Sequence, residues 1–260
     1  MNVLVIGDIS GKPGRKLIKE VMPKIKENRQ IHFTIANGEN AAGGVGITRE
    51  IANELFYHGI DILTMGNHTW DNKDIFNFID REERILRPLN YPEGTPGSGS
   101  IIVELPNNLK IGIINLLGRV FLANVECPFR TIEQEVARLR KETPIIFVDF
   151  HAEVTSEKVA LGWYLDGKVT GVVGTHTHIQ TADERILPEG TAYITDLGMT
   201  GSRNSVLGVK TELVIRKFLT QLPVRFEVAK GDEVLCGVII QVDENTGRAI
   251  SIERVQEFSV

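Results

Sequence analysis

Five short apolar runs in this 260-residue chain stop on the same kind of residue. Asn2–Gly7 is followed by Asp8, Ile31–Ala36 by Glu39 and Asn40, and Ile60–Met65 by Asn67 and His68. Pro144–Phe150 runs into His151, and Val169–Gly174 into His176 and His178. Each run is short and rich in β-branched residues, so each reads as a buried strand. Gly7, Gly38, Gly66 and Gly174 stand just before the polar groups. Glycine permits the sharp turn that aims a following side chain into a shared cleft. In open α/β sheets, ligands bind at the carboxyl ends of the strands, where these residues fall.

The segments between the runs carry helical spacing. Leu17, Ile18, Val21, Met22 and Ile25 recur at close to a helical period after Pro13. Thr48 reads as the N-cap of a helix reaching about His58, and Lys73–Ile79 as a short helix. Ser100–Leu105 and Lys110–Leu116 read as a hairpin turned by Pro106-Asn107-Asn108. Helices follow at Thr131–Lys141 and Ser156–Leu165. Beyond Gly190 the pattern becomes β-rich: Thr191–Thr195, Val224–Val228, Val234–Val242 and Ala249–Val255, with one helix near Glu212–Leu219. The expected class is α/β, two packed mixed β-sheets flanked by helices in a single domain over residues 1–260, with the C-terminal β-rich part completing the second sheet. The Gly/Pro/Ser-rich stretch Pro92–Gly99 reads as a surface loop.

Collected, the strand-end residues offer two carboxylates (Asp8, Glu39), two amides (Asn40, Asn67) and three imidazoles (His151, His176, His178). Any one alone reads as a turn or capping residue. Their repetition at one end of successive strands points to metal. Mixed O and N donors suit Mn, Fe or Zn, and the absence of thiolates argues against a structural zinc site. Seven donors exceed one tetrahedral site and suit two ions sharing a carboxylate, as in phosphotransfer centres. His32, inside a strand-like run, and His58, near a helix C-terminus, receive no catalytic role.

Composition narrows the partners. The formal net charge is −5, which disfavours stable binding of long nucleic acid but not of a small phosphate ester held through cations. Cys127 and Cys236 are too few for a disulfide framework and suit a reducing compartment. No apolar run approaches the ~20 residues of a membrane span, and Met1 leads straight into the first run, so the expected location is the cytoplasm. Gly11-Lys12 is followed by Pro13, so there is no P-loop. Gly43-Gly44-Val45-Gly46 lacks the dinucleotide spacing, and no G-x-S-x-G element occurs.

The ordered series GD(I)S, GEN, GNH, a lone His after a strand, and GTHTH resembles the calcineurin-like metallophosphoesterases. The stretches GENAAGGVGIT, GNHTWDN, VDFHAEVTSEK and GTHTHIQTADERILPEGTAYITDLGMTG resemble the bacterial YmdB-like branch, over about residues 2–255. The resemblance implies one metal on Asp8, Glu39, Asn40 and His178, a second on Glu39, Asn67, His151 and His176, and His68 as general acid beside the phosphate. Ser10 stands where the wider superfamily has a histidine, and the resemblance implies that Asn40 takes that missing donor's place. The implied reaction is attack of a metal-bridging hydroxide on the phosphorus of a cyclic nucleotide, 2′,3′-cyclic AMP favoured. Iron and manganese are the metals favoured, with Zn or Mg as alternatives. A phosphomonoesterase and a regulatory metalloprotein acting through partners are the competing readings. Assembly into a homo-oligomer is left open.

Overall fold

The first strand sets the layering. In β1 (Asn2–Ile6) successive side chains point to opposite faces, and all of Val3 to Ile6 is buried. Both faces must therefore be covered, which is the condition of a sheet enclosed on two sides. Val3 and Val5 enter one hydrophobic cluster, and Leu4 and Ile6 another.

The structure, a computed structural model describing residues 1–259, continues with β2 (Asp8–Ile9), α1 (Gly11–Asn28), β3 (Ile31–Asn37), α2 (Arg49–Tyr57), β4 (Ile62–Thr64) and a 3₁₀ turn at Lys73–Asn77. Next come β5 (Ile85–Leu86), β6 (Ser100–Glu104), β7 (Lys110–Leu117), α3 (Pro128–Leu139), β8 (Ile146–His151), α4 (Thr155–Leu165) and β9 (Gly171–Thr175). The chain ends with β10 (Arg185–Ile186), β11 (Ala192–Ile194), β12 (Met199–Ser202), α5 (Thr211–Thr220), β13 (Glu233–Val242) and β14 (Ala249–Phe258).

One sheet runs β2-β12-β13-β1-β3-β4-β5, with β14 paired to β13; the other runs β10-β11-β9-β8-β7-β6. Val3, Val5, Phe33 and Ile35 of the first sheet meet Ile113, Phe147 and Val173 of the second in the cluster between them. Leu17 and Ile18 of α1 and Leu55 of α2 cover the outer face of the first sheet. Ile132 of α3 and Leu161 of α4 cover the outer face of the second. The architecture is thus a mixed α/β sandwich of two packed sheets with helices outside. Strands β1, β3 and β4 are mutually parallel, as are β7, β8 and β9. Their carboxyl ends meet along one edge.

Local signals hold where they have a local cause. Thr48 Oγ1 accepts the Ile51 N–H at 3.3 Å and caps α2. The β6–β7 hairpin pairs Ser100 with Ile114 and Glu104 with Lys110. Helix α1 starts at Gly11, two residues before Pro13, and tolerates Pro23 on its exposed face.

Two expectations are corrected. The C-terminal β-rich part is divided between the sheets: β11 joins β9 in the second, whereas β13 and β14 belong to the first. β13 lies antiparallel to β1 from Asn2–Gln241 to Ile6–Gly237, in the sheet that contains the N-terminal strand. The chain reaches it from β11 through Asp196–Gly198 into β12, which pairs with both β2 and β13. The segment 224–228 is not a strand; its one sheet-like contact is a bridge from Val228 to Val209. It has β propensity but lies outside both sheets, and Phe226, Glu227 and Val228 line the cleft described below. Among the described residues no helix is long and apolar enough to cross a membrane.

Parallel neighbours β9 and β11 approach closely at Gly174. A Cβ there would strike the Thr195 carbonyl and the Lys158 stem. Gly174→Ala is expected to lose about 1–3 kcal/mol of stability through overpacking, read as a lower melting temperature. Wild-type melting would contradict this packing.

Candidate metal centre

Every strand-end residue singled out above lies at the meeting edge of the two sheets. Asp8 opens β2, Glu39 and Asn40 follow β3, Asn67 and His68 follow β4, His151 ends β8, and His176 and His178 follow β9. Asp8, Glu39 and His151 are wholly buried. Gly66 leaves the room this needs: a Cβ there would overlap the Glu39 carboxylate and the His151 ring.

The side chains form two adjoining groups. In the first, Asn40 Nδ2 lies 3.4 Å from Asp8 Oδ1, 3.4 Å from Glu39 Oε1 and 3.2 Å from His178 Nε2. In the second, His151 Nε2 lies 3.0 Å from each of Glu39 Oε1, Asn67 Oδ1 and His176 Nδ1. Glu39 Oε1 belongs to both groups. Glu39, His151 and His176 bring their ligand atoms within 4.8 Å of one another.

The outer ring nitrogens reveal what the inner ones are for. His178 Nδ1 donates to the Leu207 carbonyl at 3.0 Å. His176 Nε2 faces Glu153 Oε2 at 3.0 Å. His151 Nδ1 meets Thr175 Oγ1 at 3.0 Å, and that hydroxyl in turn donates to Asp149 Oδ1 at 2.7 Å. An imidazole whose outer N–H is engaged presents a lone pair on its other nitrogen, the arrangement typical of metal-binding histidines. Around His151 Nε2 three acceptor atoms converge, and a single proton there can serve one of them. A cation serves all of them at once. The donor set therefore fits a metal, with O and N ligands of the kind that suit first-row transition ions.

Without a metal the group settles its charges by protonation. Burial opposes ionisation of Asp8, yet His178 and His151 hold its carboxyl well below the usual carboxylate range. Burial likewise opposes the charge on Glu39, and the His151 charge and hydrogen bond outweigh it, so its pKa is lowered. His178 works against its own burial through Asp8 and is pushed up to about 9, whereas burial and the His151 charge push His176 down to about 4.

The turn carrying His176 and His178 is strained and specially held. Their φ angles are 95° and 64°, left-handed values that cost non-glycine residues about 1–3 kcal/mol and persist only under outside restraint. Asp196, wholly buried, supplies that restraint. Its Oδ2 accepts the Thr177 N–H at 3.1 Å and the Thr177 hydroxyl at 2.6 Å, while Oδ1 accepts the Gly198 N–H at 2.8 Å. The buried Lys158 ammonium balances the carboxylate at 2.7 Å.

His68 stands slightly apart. Its N–H donates to Glu39 Oε2 at 2.9 Å, and its Nδ1 pairs with Asp71 Oδ2 at 2.7 Å. Together with Ser10, Asn40, His176 and His178 it lines a cleft of about 380 Å³ that opens over both groups. His32 accepts from the Asn2 N–H at 3.1 Å and His58 caps α2, both as side features of the scaffold.

Sequence reasoning missed the supporting residues: Asp149, Glu153, Thr175, Asp71, Lys158 and Asp196. Asp149 left a signal, a carboxylate inside the apolar run Ile145–Phe150. Asp71 left another, an acid three residues after His68. Lys158 and Asp196 left none, because their pairing depends on α4 packing beneath the turn after β9.

A model of the family described as YmdB-like protein matches residues 4–255. The 2′,3′-cyclic-nucleotide 2′-phosphodiesterase of Bacillus subtilis (strain 168) is 54% identical over 255 residues, 98% of this chain and 96% of that protein. The crystal structure of a hypothetical protein from Thermus thermophilus superposes with a TM-score of 0.93 at 37% identity, covering 100% of both chains. That of a novel phosphatase from Mycoplasma pneumoniae gives 0.94 at 37% identity, covering 99% of this chain and 93% of that one.

Two outcomes are expected here. Lys158→Met strands a buried carboxylate, a change that costs about 3–5 kcal/mol. It should lower the melting temperature and weaken metal binding measured by calorimetry; unchanged metal affinity would remove the ion pair from the support of the turn. The second concerns pH. His178 has its folded value raised to about 9 from an ordinary 6.5, so its stabilisation is complete below about 6.5 and lost as pH rises through 9. His176, lowered to about 4, is already neutral across that window. The metal-free protein should therefore melt at falling temperature from pH 6.5 to 9, and a flat or rising profile would contradict the Asp8–His178 pair.

Proposed function

The chain belongs to the YmdB-like family, and we propose that it is a metal-dependent phosphodiesterase that opens cyclic nucleotides, 2′,3′-cyclic ones before 3′,5′-cyclic ones. The observation that carries this reading is the pair of donor groups sharing Glu39 beneath one cleft. The 54% identical Bacillus subtilis relative, named for 2′,3′-cyclic-nucleotide 2′-phosphodiesterase activity, supports the substrate class.

In this reading Asp8, Glu39, Asn40 and His178 hold one ion, and Glu39, Asn67, His151 and His176 hold the other. Asn40 would turn its amide over, an isosteric change, to present Oδ1 in place of Nδ2. Iron and manganese suit the mixed donor set best, with zinc or magnesium as alternatives. When bound, such a pair supplies Lewis acidity at the phosphate and a nucleophile from water at neutral pH.

The rest of the chemistry belongs to the chain. Gly66 keeps the Glu39 carboxylate and the His151 ring in contact, and the 175–178 turn fixes the other two imidazoles. The Glu39 contact to the His68 N–H positions the backbone at His68, while Asp71 on Nδ1 fixes the ring. Nε2 is then the nitrogen that carries a proton to the departing ribose oxygen, the role of a general acid. Residues 1–260 act as one domain in this account. The apolar residues Ile215, Phe218, Leu219 and Leu222, exposed on and just after α5, support assembly with further copies.

The reading is tested by kcat/KM of metal-loaded protein on 2′,3′-cyclic AMP, 3′,5′-cyclic AMP and a phosphomonoester. The first should be highest. The phosphatase named for the Mycoplasma pneumoniae structure favours a monoesterase as the second reading, and a higher value on the monoester would establish it instead. His68→Ala should keep its metals and lose about 10²–10⁴-fold in turnover of the cyclic nucleotide. Bis-p-nitrophenyl phosphate, whose leaving group needs little protonation, should suffer much less. Equal losses on the two substrates would take His68 out of the general-acid role.

A further inference from the structure

Beside the metal cleft lies a larger cavity of about 680 Å³ that the chemistry above does not use. Lys12 and Lys16 on the first turns of α1 line one side, and Arg225 and Lys230 on the segment after α5 line the other. The two hollows share Gly43, Phe226, Glu227 and Val228 as a common wall. That wall is closely fitted: a Cβ on Gly44 would come to 3.1 Å from Val228 Cγ2.

The charge here runs against that of the molecule. The chain as a whole carries −5, yet this cavity gathers cations. Its two carboxylates are already matched. Glu227 pairs with Lys210 at 2.6 Å, and Glu233 faces Lys16 at 3.9 Å. Among the described residues Lys12, Arg225 and Lys230 form no ion pair, and the first turn of α1 contains no acid. Unmatched cations concentrated in one hollow create a local field that draws anions. The neighbouring cleft is read as holding a phosphate diester, so the anion of closest chemical kin is another phosphate of the same molecule. A 2′,3′-cyclic mononucleotide has a single phosphate and leaves these cations unused.

We propose that the Lys12–Lys16–Arg225–Lys230 cavity binds the next phosphate along the strand, and that the substrate class is a short oligoribonucleotide ending in a 2′,3′-cyclic phosphate. This rests on the phosphodiesterase reading of the adjoining cleft. Phe226, 45% exposed on the shared wall, offers a ring face on which a base can stack. In the reaction, a P–O bond forms to water and one ring P–O bond breaks. The released ribose oxygen takes a proton, and the strand keeps a terminal monophosphate. Such ends are supplied by RNA cleavage through transesterification. There the 2′-oxygen bonds to phosphorus, the bond to the 5′-oxygen breaks, and a proton ends on the released 5′-hydroxyl.

The test compares a 2′,3′-cyclic mononucleotide with a dinucleotide carrying the same cyclic end, on metal-loaded wild-type protein and on Lys12→Ala/Arg225→Ala/Lys230→Ala. Wild type should prefer the dinucleotide by about tenfold in kcat/KM, equivalent to about 1.4 kcal/mol. The variant should lose that preference while its mononucleotide rate stays within about twofold, and a Lys12→Arg/Arg225→Lys/Lys230→Arg variant should restore it. Binding of the dinucleotide product at two salt concentrations gives a second readout. Its log–log salt slope should be steeper than that of the mononucleotide product by about 0.7 for the added phosphate contact, and the alanine variant should abolish the difference. Equal kcat/KM on the two substrates, or a preference that survives in the alanine variant, overturns the proposal. If neither cyclic substrate turns over, the phosphodiesterase reading fails, and product binding alone decides the cavity: equal binding of the two products overturns it.

Discussion

Two carboxylates, Asp8 and Glu39, lie fully buried within reach of three imidazoles. Moving a carboxylate out of water is costly unless it is paired and hydrogen-bonded. Here the compensation is concentrated on one side. Each imidazole has its outer nitrogen tied to a carbonyl, a carboxylate or a hydroxyl; the inner nitrogens of His178 and His151 face Asp8 and Glu39, and that of His176 faces His151. The inner space is a collection of lone pairs, and only added positive charge reconciles them. Protons do so in the metal-free protein, most clearly at His178. Metal ions would do so while leaving every donor in use, and ligands that must give up protons tie metal affinity to pH.

The remainder of the fold keeps that cluster in place. Parallel strands deliver their carboxyl ends to one edge, so a donor from each sheet reaches the same few ångströms. The antiparallel pairing of β13 with β1 holds the strand that leads into Asp8 along its whole length. On the other sheet the Lys158–Asp196 pair underlies the turn that carries His176 and His178. A buried ion pair is a weak source of net stability. Its value here is geometric, because it holds two histidines at backbone angles they would otherwise leave.

The strand ends were legible because their chemistry repeats: an apolar run, a glycine in most cases, then a donor. The structure brings all of these residues to one edge, and the sandwich with outer helices follows from the alternation of runs. What escaped reading was long-range. The run at 234–242 is buried on nearly every residue, and such a pattern says that both faces are covered without saying by which neighbours. Residues 224–228 have a strand-like composition yet lie outside both sheets, and sequence alone does not report which runs find a pairing partner. The supporting partners Glu153 and Thr175 are ordinary polar residues near the site, and only the direction of the imidazole nitrogens gives them meaning.

The shared carboxylate is the centre of this account, and metal stoichiometry reaches it most directly. Metal-free wild type, Asp8→Asn and Glu39→Gln would be titrated with Mn(II) under anaerobic conditions and the bound ions counted. Two equivalents in wild type, one in Asp8→Asn and none at comparable affinity in Glu39→Gln are the expected results. A Glu39→Gln protein that still binds one ion with wild-type affinity would contradict the sharing of Glu39 between two sites.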